Sequence, residues 1–140
     1  MNNENIKCVI VIDKELPLGL IANTAAILGC SLSNCIDDII GPDVSDMDGF
    51  IHKGIINIPL PILSSSREGI QKIHNVITEK HNDKIVIIDF NEVAQKCNIY
   101  DEYKSKLSNA AYSDLNYLGL CIYGDKKTVN SIAGSLPSLR

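Results

Sequence analysis

The chain has 140 residues, 45% of them hydrophobic and 21% charged, which fits one globular domain spanning 1–140 and excludes a disordered chain. Net charge is −4, with residues 1–50 holding two lysines against eight acids and no basic stripe anywhere, so nucleic acid is not an expected partner. Aromatics are only 5% and Trp is absent, so the core must be aliphatic.

The first residues, Met-Asn-Asn-Glu-Asn, are polar and acidic and lack the basic n-region of a leader. No uninterrupted apolar run approaches the ~20 residues that span a bilayer, so no membrane partner is expected. Lys7 to Ile12 is a β-branched run without alternation, as a strand buried on both faces requires. Pro17 stands where a helix opens, and its missing N–H costs little there. The helix is predicted from about Leu18 to Leu32. It is apolar on nearly all sides, so it is expected to be buried from several directions, between the sheet and either another helix or a second subunit. Asn23 and Thr24 interrupt that surface. Either they satisfy one another or the backbone, or they line a site.

Asp37 to Gly49 carries five carboxylates and no base, with Gly41 and Pro42 marking a loop. In the register of a calcium loop, two ligand positions would fall on Val44 and Ile55, so a calcium site is excluded and no metal is expected. Phe50 to Ile58 reads as the next strand, with His52 near its start. Pro59 and Pro61 keep the stretch from Asn57 to Leu63 from being a central strand throughout. Ser65 and Glu68 have capping-box spacing at the start of a helix whose apolar face is Ile70, Ile73 and Ile77. His74 shares that side and, with no evident Cys, Ser or Asp partner, reads as a packed or interface histidine. Lys84 to Ile88 is a further strand, succeeded by a short helix ending near Cys97. A polar helix over Tyr100–Asn109 has acids early and lysines late. Leu115 to Tyr123 is the last strand, and about Lys126 to Ser135 the last helix.

This order predicts an α/β three-layer sandwich: a four-stranded mixed sheet with helices on both faces. The five cysteines have no Cys-x-x-Cys spacing. They read as reduced, mostly buried residues in a cytoplasmic protein rather than as a disulfide or zinc framework. There is no Gly-x-Gly-x-x-Gly, Walker loop, Gly-x-Ser-x-Gly or His-Glu-x-x-His, so the usual nucleotide, serine-hydrolase and zinc-hydrolase readings have no support. No cofactor is expected.

Several stretches together carry a resemblance: Lys7-Cys8-Val9-Ile10-Val11, then Leu16-Pro17 with Gly19-Leu20 and Asn23, then Pro59 and Pro61-Ile62-Leu63. Tyr117-Leu118-Gly119-Leu120, Tyr123-Gly124 and the ending Gly134 to Arg140 complete it. With these the chain resembles the domain-of-unknown-function 2000 family over nearly its full length. That family is similar in fold to type 2 peptidyl-tRNA hydrolases, which cleave the ester joining a peptide to tRNA and are typically dimeric. The resemblance implies the hydrolase-like fold and a homodimer. It does not carry over the activity. Where those enzymes have Gly-Lys, Gly19 is followed by Leu20, and Asn23 to Leu28 lacks their Gln, Cys and His.

The expected function is binding of a small polar ligand or protein partner in a cleft between the Asp13–Gly19 loop and the Phe50–Pro61 segment. Asp13, Lys14, Asn23 and His52 are its candidate residues. The alternative is a hydrolase of ester or amide bonds with a rebuilt site, His52 serving as base and Asp13 or an acid of Asp43–Asp48 orienting it. No catalytic residue is assigned. The apolar first helix independently favours the homodimer, through that helix or the Ile70–Ile77 helix with His74 near the rim.

Overall fold

The computed structural model describes residues 3–140; Met1 and Asn2, part of the polar start, lie outside the described residues. The central sheet has the order β4-β1-β6-β5, built from β1 (Ile6–Asp13), β4 (Ile62–Ser65), β5 (Ile85–Asn91) and β6 (Tyr117–Asp125). β1 and β4 are parallel, and β6 runs antiparallel to both β1 and β5, so the sheet is mixed. Two short strands, β2 (Val44–Ser45) and β3 (Ile51–His52), pair only with each other.

Alternation along β1 sends its side chains into two cores. Val9 and Val11 join Leu120 and Ile122 beneath α2 (Arg67–Lys80) and α5 (Lys126–Ala133). Cys8, Ile10 and Ile12 join Cys121 and Phe90 beneath α1 (Leu18–Cys35). Helices therefore cover both faces, with α3 (Glu92–Gln95) and α4 (Tyr100–Ser108) coming after β5.

Two expectations need correction. The fourth strand of the main sheet is Ile62–Ser65, not Phe50–Ile58. Pro59 and Pro61 end the irregular approach to it, and Ile10 N donates to the Pro61 carbonyl at 3.0 Å, a role that needs no proline N–H. Residues 36–61 instead form an excursion. Ile39 anchors its base in the core, and β2 and β3 form a hairpin arm at its tip. The cap of α2 is Ser66, whose hydroxyl accepts from Gly69 N at 3.0 Å, one residue beyond the expected Ser65.

Within this single chain α1 packs on the sheet. Only Thr24, Leu28 and Leu32 are fully buried, although the helix is long and apolar enough to cross a bilayer on length and composition alone. It lies on the sheet along one stripe, and its other sides face water. Close approach along that stripe depends on Gly119 in β6. A Cβ there would sit 2.8 Å from Thr24 Cγ2 and 3.0 Å from the Val11 carbonyl oxygen.

The chain end covers the exposed edge of β4. Ser64 N donates to the Pro137 carbonyl and Leu139 N to the Ile62 carbonyl, each at 2.9 Å. The Gly134–Arg140 ending thus has a structural task, shielding unpaired edge groups.

Candidate functional site

The four residues expected to form a cleft are not gathered by this fold. Asp13 is buried at the end of β1, where its carboxylate accepts from Glu15 N at 3.0 Å and shapes the turn into α1. Lys14 is exposed, and its ammonium pairs with no carboxylate among the described residues. Thr24 is satisfied within its own helix, its hydroxyl donating to the Leu20 carbonyl at 2.7 Å. Asn23 points outward from α1 and bonds to neither Thr24 nor the sheet.

His52 has a carboxylate partner, Asp46, with Nε2 2.8 Å from Oδ2. Both lie on the exposed arm. Asp46 also accepts from the Asp48 and Phe50 backbone N–H groups at 3.0 and 3.1 Å, so its carboxylate organises the turn. The His52 bond, then the Phe50 amide, hold its pKa below the usual carboxylate value. The arm leaves the C-terminal end of α1, whereas Asn23 is in its second turn.

A different constellation is built inside the molecule. Ile70, His74 and Ile77 recur at helical spacing, so the face that buries the two isoleucines turns His74 inward as well. Its ring stacks on Tyr117 of β6, with centroids 4.2 Å apart and planes 9° from parallel. Nε2 lies 3.1 Å from Oδ2 of Asp89 on β5. Nδ1 lies 2.7 Å from the hydroxyl of Tyr112, which opens a short 3-10 turn before β6. Asn91 Nδ2 donates to the other Asp89 oxygen at 3.3 Å.

The proton count in this line has two solutions. An ionised Asp89 only accepts, so Nε2 carries a proton. In a neutral ring Nδ1 then accepts the Tyr112 proton. Asn75 Oδ1 is a second acceptor 3.1 Å from the same hydroxyl. The Tyr112 hydroxyl therefore has two competing acceptors, the His74 ring and the Asn75 amide oxygen. Tyr117 responds to the same surroundings: burial first, then the Asp89 charge, push its phenol far above the ordinary value.

Tyr112 opens onto a cavity of about 530 Å³ between α2 and residues 112–116. Its walls include Arg67, Glu68, Gln71, Lys72, Asn75 and Asn116. Arg67 is engaged with Glu92 at 3.4 Å, whereas Lys72 has no partner among the described residues. The volume lies within the range of small-molecule sites. Two further cavities flank the other core. One of about 470 Å³ lies between α1, β5 and α4 and reaches Asp89 and Tyr103. One of about 390 Å³ is lined by Lys7, Cys8, Asn57 and Lys126. None of the three is lined by Asp13, Lys14, Asn23 or His52.

Residues 6–140 match the family described as "Protein of unknown function (DUF2000)". The chain belongs to the domain-of-unknown-function 2000 family. No curated protein matches it. A solved structure of a protein of unknown function from Agrobacterium tumefaciens is similar, with a TM-score of 0.85 at 18% identity. The alignment covers 96% of this chain and 97% of that one. At that identity the likeness establishes a shared fold.

In this DUF2000 chain the sequence flagged His74 but missed its partners. Asp89 is 15 residues further on and Tyr112 another 23, and only the packing of α2 over the β5–β6 edge joins them. One signal was available: a histidine on an otherwise isoleucine face needs polar partners for both ring nitrogens.

Proposed function

We propose that this protein binds a small polar ligand bearing an anionic group in the cavity beside Tyr112. The observation that carries the reading is the Asp89–His74–Tyr112 line, which brings a buried imidazole to the cavity through a single hydroxyl. Lys72 supplies an uncommitted cation on the wall, and Asn75 and Asn116 supply amides that orient a ligand. This cavity is preferred to the cleft around Asp13 and His52, because there Asp13 and Asp46 already serve the backbone. The scaffold is read as related in fold to type 2 peptidyl-tRNA hydrolases, on the resemblance of its residues, without their lysine-dependent chemistry. A cytoplasmic setting belongs to the same reading and is supported by five cysteines with no pairing pattern.

A thermal-shift screen with inorganic phosphate and small carboxylates tests the proposal. A ligand at a hundredfold excess over its Kd stabilises by about 2.7 kcal/mol, a shift that is easily read. The shift should vanish in Lys72→Ala and shrink in Tyr112→Phe. Absence of any shift at saturating concentration, or a shift indifferent to both variants, sinks it.

A second reading has one specific observation behind it. Asp89, His74 and Tyr112 stand in the order acid, imidazole and hydroxyl, the arrangement that activates a hydroxyl in many acyl-transfer enzymes. A hydrolase of ester or amide bonds would then use Tyr112 as the group facing substrate, with His74 taking its proton. Its mark is ester turnover abolished alike by Tyr112→Phe and His74→Gln. Turnover that survives both variants removes this reading.

A further inference from the structure

The cavity of about 470 Å³ between α1, β5 and α4 is separate from the one beside Tyr112 and differs from it in chemistry. Ile27 of α1 and Ile88 and Phe90 of β5 give it apolar walls. Tyr100 and Tyr103 of α4 close the far side, their rings set edge to face with centroids 5.4 Å apart and planes at 73°. No residue of α4 is fully buried, and Tyr100 stays 73% exposed, so this aromatic wall stands at the mouth rather than in a core. Among the described lining residues there is no Lys, Arg or His, and the one carboxylate is Asp89. Lys96 and Lys104 are exposed and do not line the cavity, and Lys106 is engaged by Glu102 at 2.8 Å.

Asp89 has capacity to spare. Its side chain is 31% exposed. Oδ2 meets His74 Nε2 and Oδ1 meets Asn91 Nδ2, one donor each, where a carboxylate offers about four lone-pair sites. Asn91 is neutral, and so is His74 while Tyr112 donates to Nδ1, so neither cancels the charge of Asp89. That charge reaches the cavity wall: burial first, then Asp89, raises the Tyr103 phenol above its ordinary pKa. The ring faces of Tyr100 and Tyr103 are electron-rich and attract cations. An anion would meet the carboxylate and those faces with no base to compensate. We infer that this cavity binds a primary ammonium group carried on an apolar or aromatic body, the ammonium donating to Asp89 beside the tyrosine rings and the body lying on Ile27, Ile88 and Phe90. The volume suits a small molecule of that kind.

Phenethylammonium titrated into the full chain at neutral pH tests this; as an alkylamine it stays protonated there. Backbone amides of residues 88–90 and 97–103 should shift together in NMR spectra, with a Kd on the order of 1 mM or tighter. 2-Phenylethanol, which replaces the ammonium by a neutral hydroxyl, should bind about tenfold more weakly or worse, and phenylacetate should leave those amides unmoved. Tyr100→Ala alters an exposed position and should weaken ammonium binding about tenfold. Ile27→Lys brings a competing ammonium to the wall without touching the Asp89–His74 bond, and should abolish binding with an unchanged circular dichroism spectrum. No amide shift at about 10 mM phenethylammonium overturns the proposal. So does equal affinity for the alcohol and the ammonium, or binding that tolerates both Tyr100→Ala and Ile27→Lys. Phosphate binding beside Lys72 is read in a separate titration and should survive Tyr100→Ala, so the failure of either cavity as a site leaves the other standing.

Discussion

His74 Nε2 lies 3.1 Å from Asp89 Oδ2, and this bond fastens α2 to the edge strand of the sheet. His74 is buried while the Asp89 side chain is about one-third exposed, so the two ends of the bond are not equivalent. Removing the carboxylate leaves a buried N–H without an acceptor. Removing the imidazole leaves a carboxylate that water can reach. Asp89→Ala should therefore lower stability by about 1–3 kcal/mol. Tyr112→Phe removes the hydrogen-bond partner of the buried Nδ1 and should cost about 1–3 kcal/mol. In the pair Asp89→Ala with His74→Phe, the combined loss should be smaller than the sum. Urea unfolding of the five chains, the unsubstituted one included, measures all of this, and strict additivity would mean that the bond carries no coupling.

Gly119 faces a different limit, set by space rather than charge. A Cβ there would sit 2.8 Å from Thr24 Cγ2 and 3.0 Å from a β1 carbonyl, and the backbone atom cannot yield cheaply. Gly119→Ala should cost about 1–3 kcal/mol by pushing α1 off the sheet. Adding Thr24→Ser removes the crowding methyl and should recover part of the loss. The thermal midpoints of the two variants decide this. Full tolerance of Gly119→Ala would mean that α1 does not pack as closely as this fold requires.

The elements dictated by local chemistry were legible in the sequence. β1 and β5 announced themselves as β-branched runs, β6 as an apolar run, and α2 as a 3-4 spacing of isoleucines. The fourth strand was hidden because Ile62–Ser65 is only four residues long and comes after two prolines, while the more apolar Phe50–Ile58 segment looked the better strand. Apolar content did not distinguish a buried strand from an exposed arm. The extent of α1's exposure was equally hidden, since periodicity shows which face is apolar but not whether anything covers it. At the site, Thr24 was recognised as a self-satisfying or lining residue and proved to be the former. The Asp89–His74–Tyr112 line depends on three elements far apart in the chain, and no local pattern encodes their meeting.

The arm should report acid. The Asp46 pKa lies below the ordinary 3.8, held there by the His52 bond and then by backbone N–H donors. A carboxylate with a depressed folded pKa stabilises fully above its unfolded value, and that contribution is lost as pH falls through the folded value. Fraying of the Asp46–His52 turn should therefore begin only below about pH 3.8 and complete at lower pH. Amide shifts of Phe50 and Asp48, monitored by NMR, should titrate in that window. Asp46→Ala should abolish the transition, and a midpoint above 3.8 would show that the carboxylate is not held by these donors.

The final segment offers the most direct test of edge protection. Ser64 N and the Ile62 carbonyl belong to β4, which has β1 on one side and only residues 137–139 on the other. Removing residues 136–140 deletes the two backbone bonds to β4 and that from Leu136 N to the Ala133 carbonyl, each worth about 0.5–1.5 kcal/mol net, and takes away Leu136, which packs against the core beneath α2 and α5. The stability loss should thus reach about 3 kcal/mol or more once that burial is included. The uncovered edge should also template pairing between molecules. The truncated chain is expected to melt several degrees lower and to scatter light increasingly with concentration. Hydrogen exchange at the Ser64 amide separates the two effects: it should accelerate in dilute protein and slow again as edges pair. An amide already exchanging at the solvent rate in the intact chain would mean that the segment leaves this edge open.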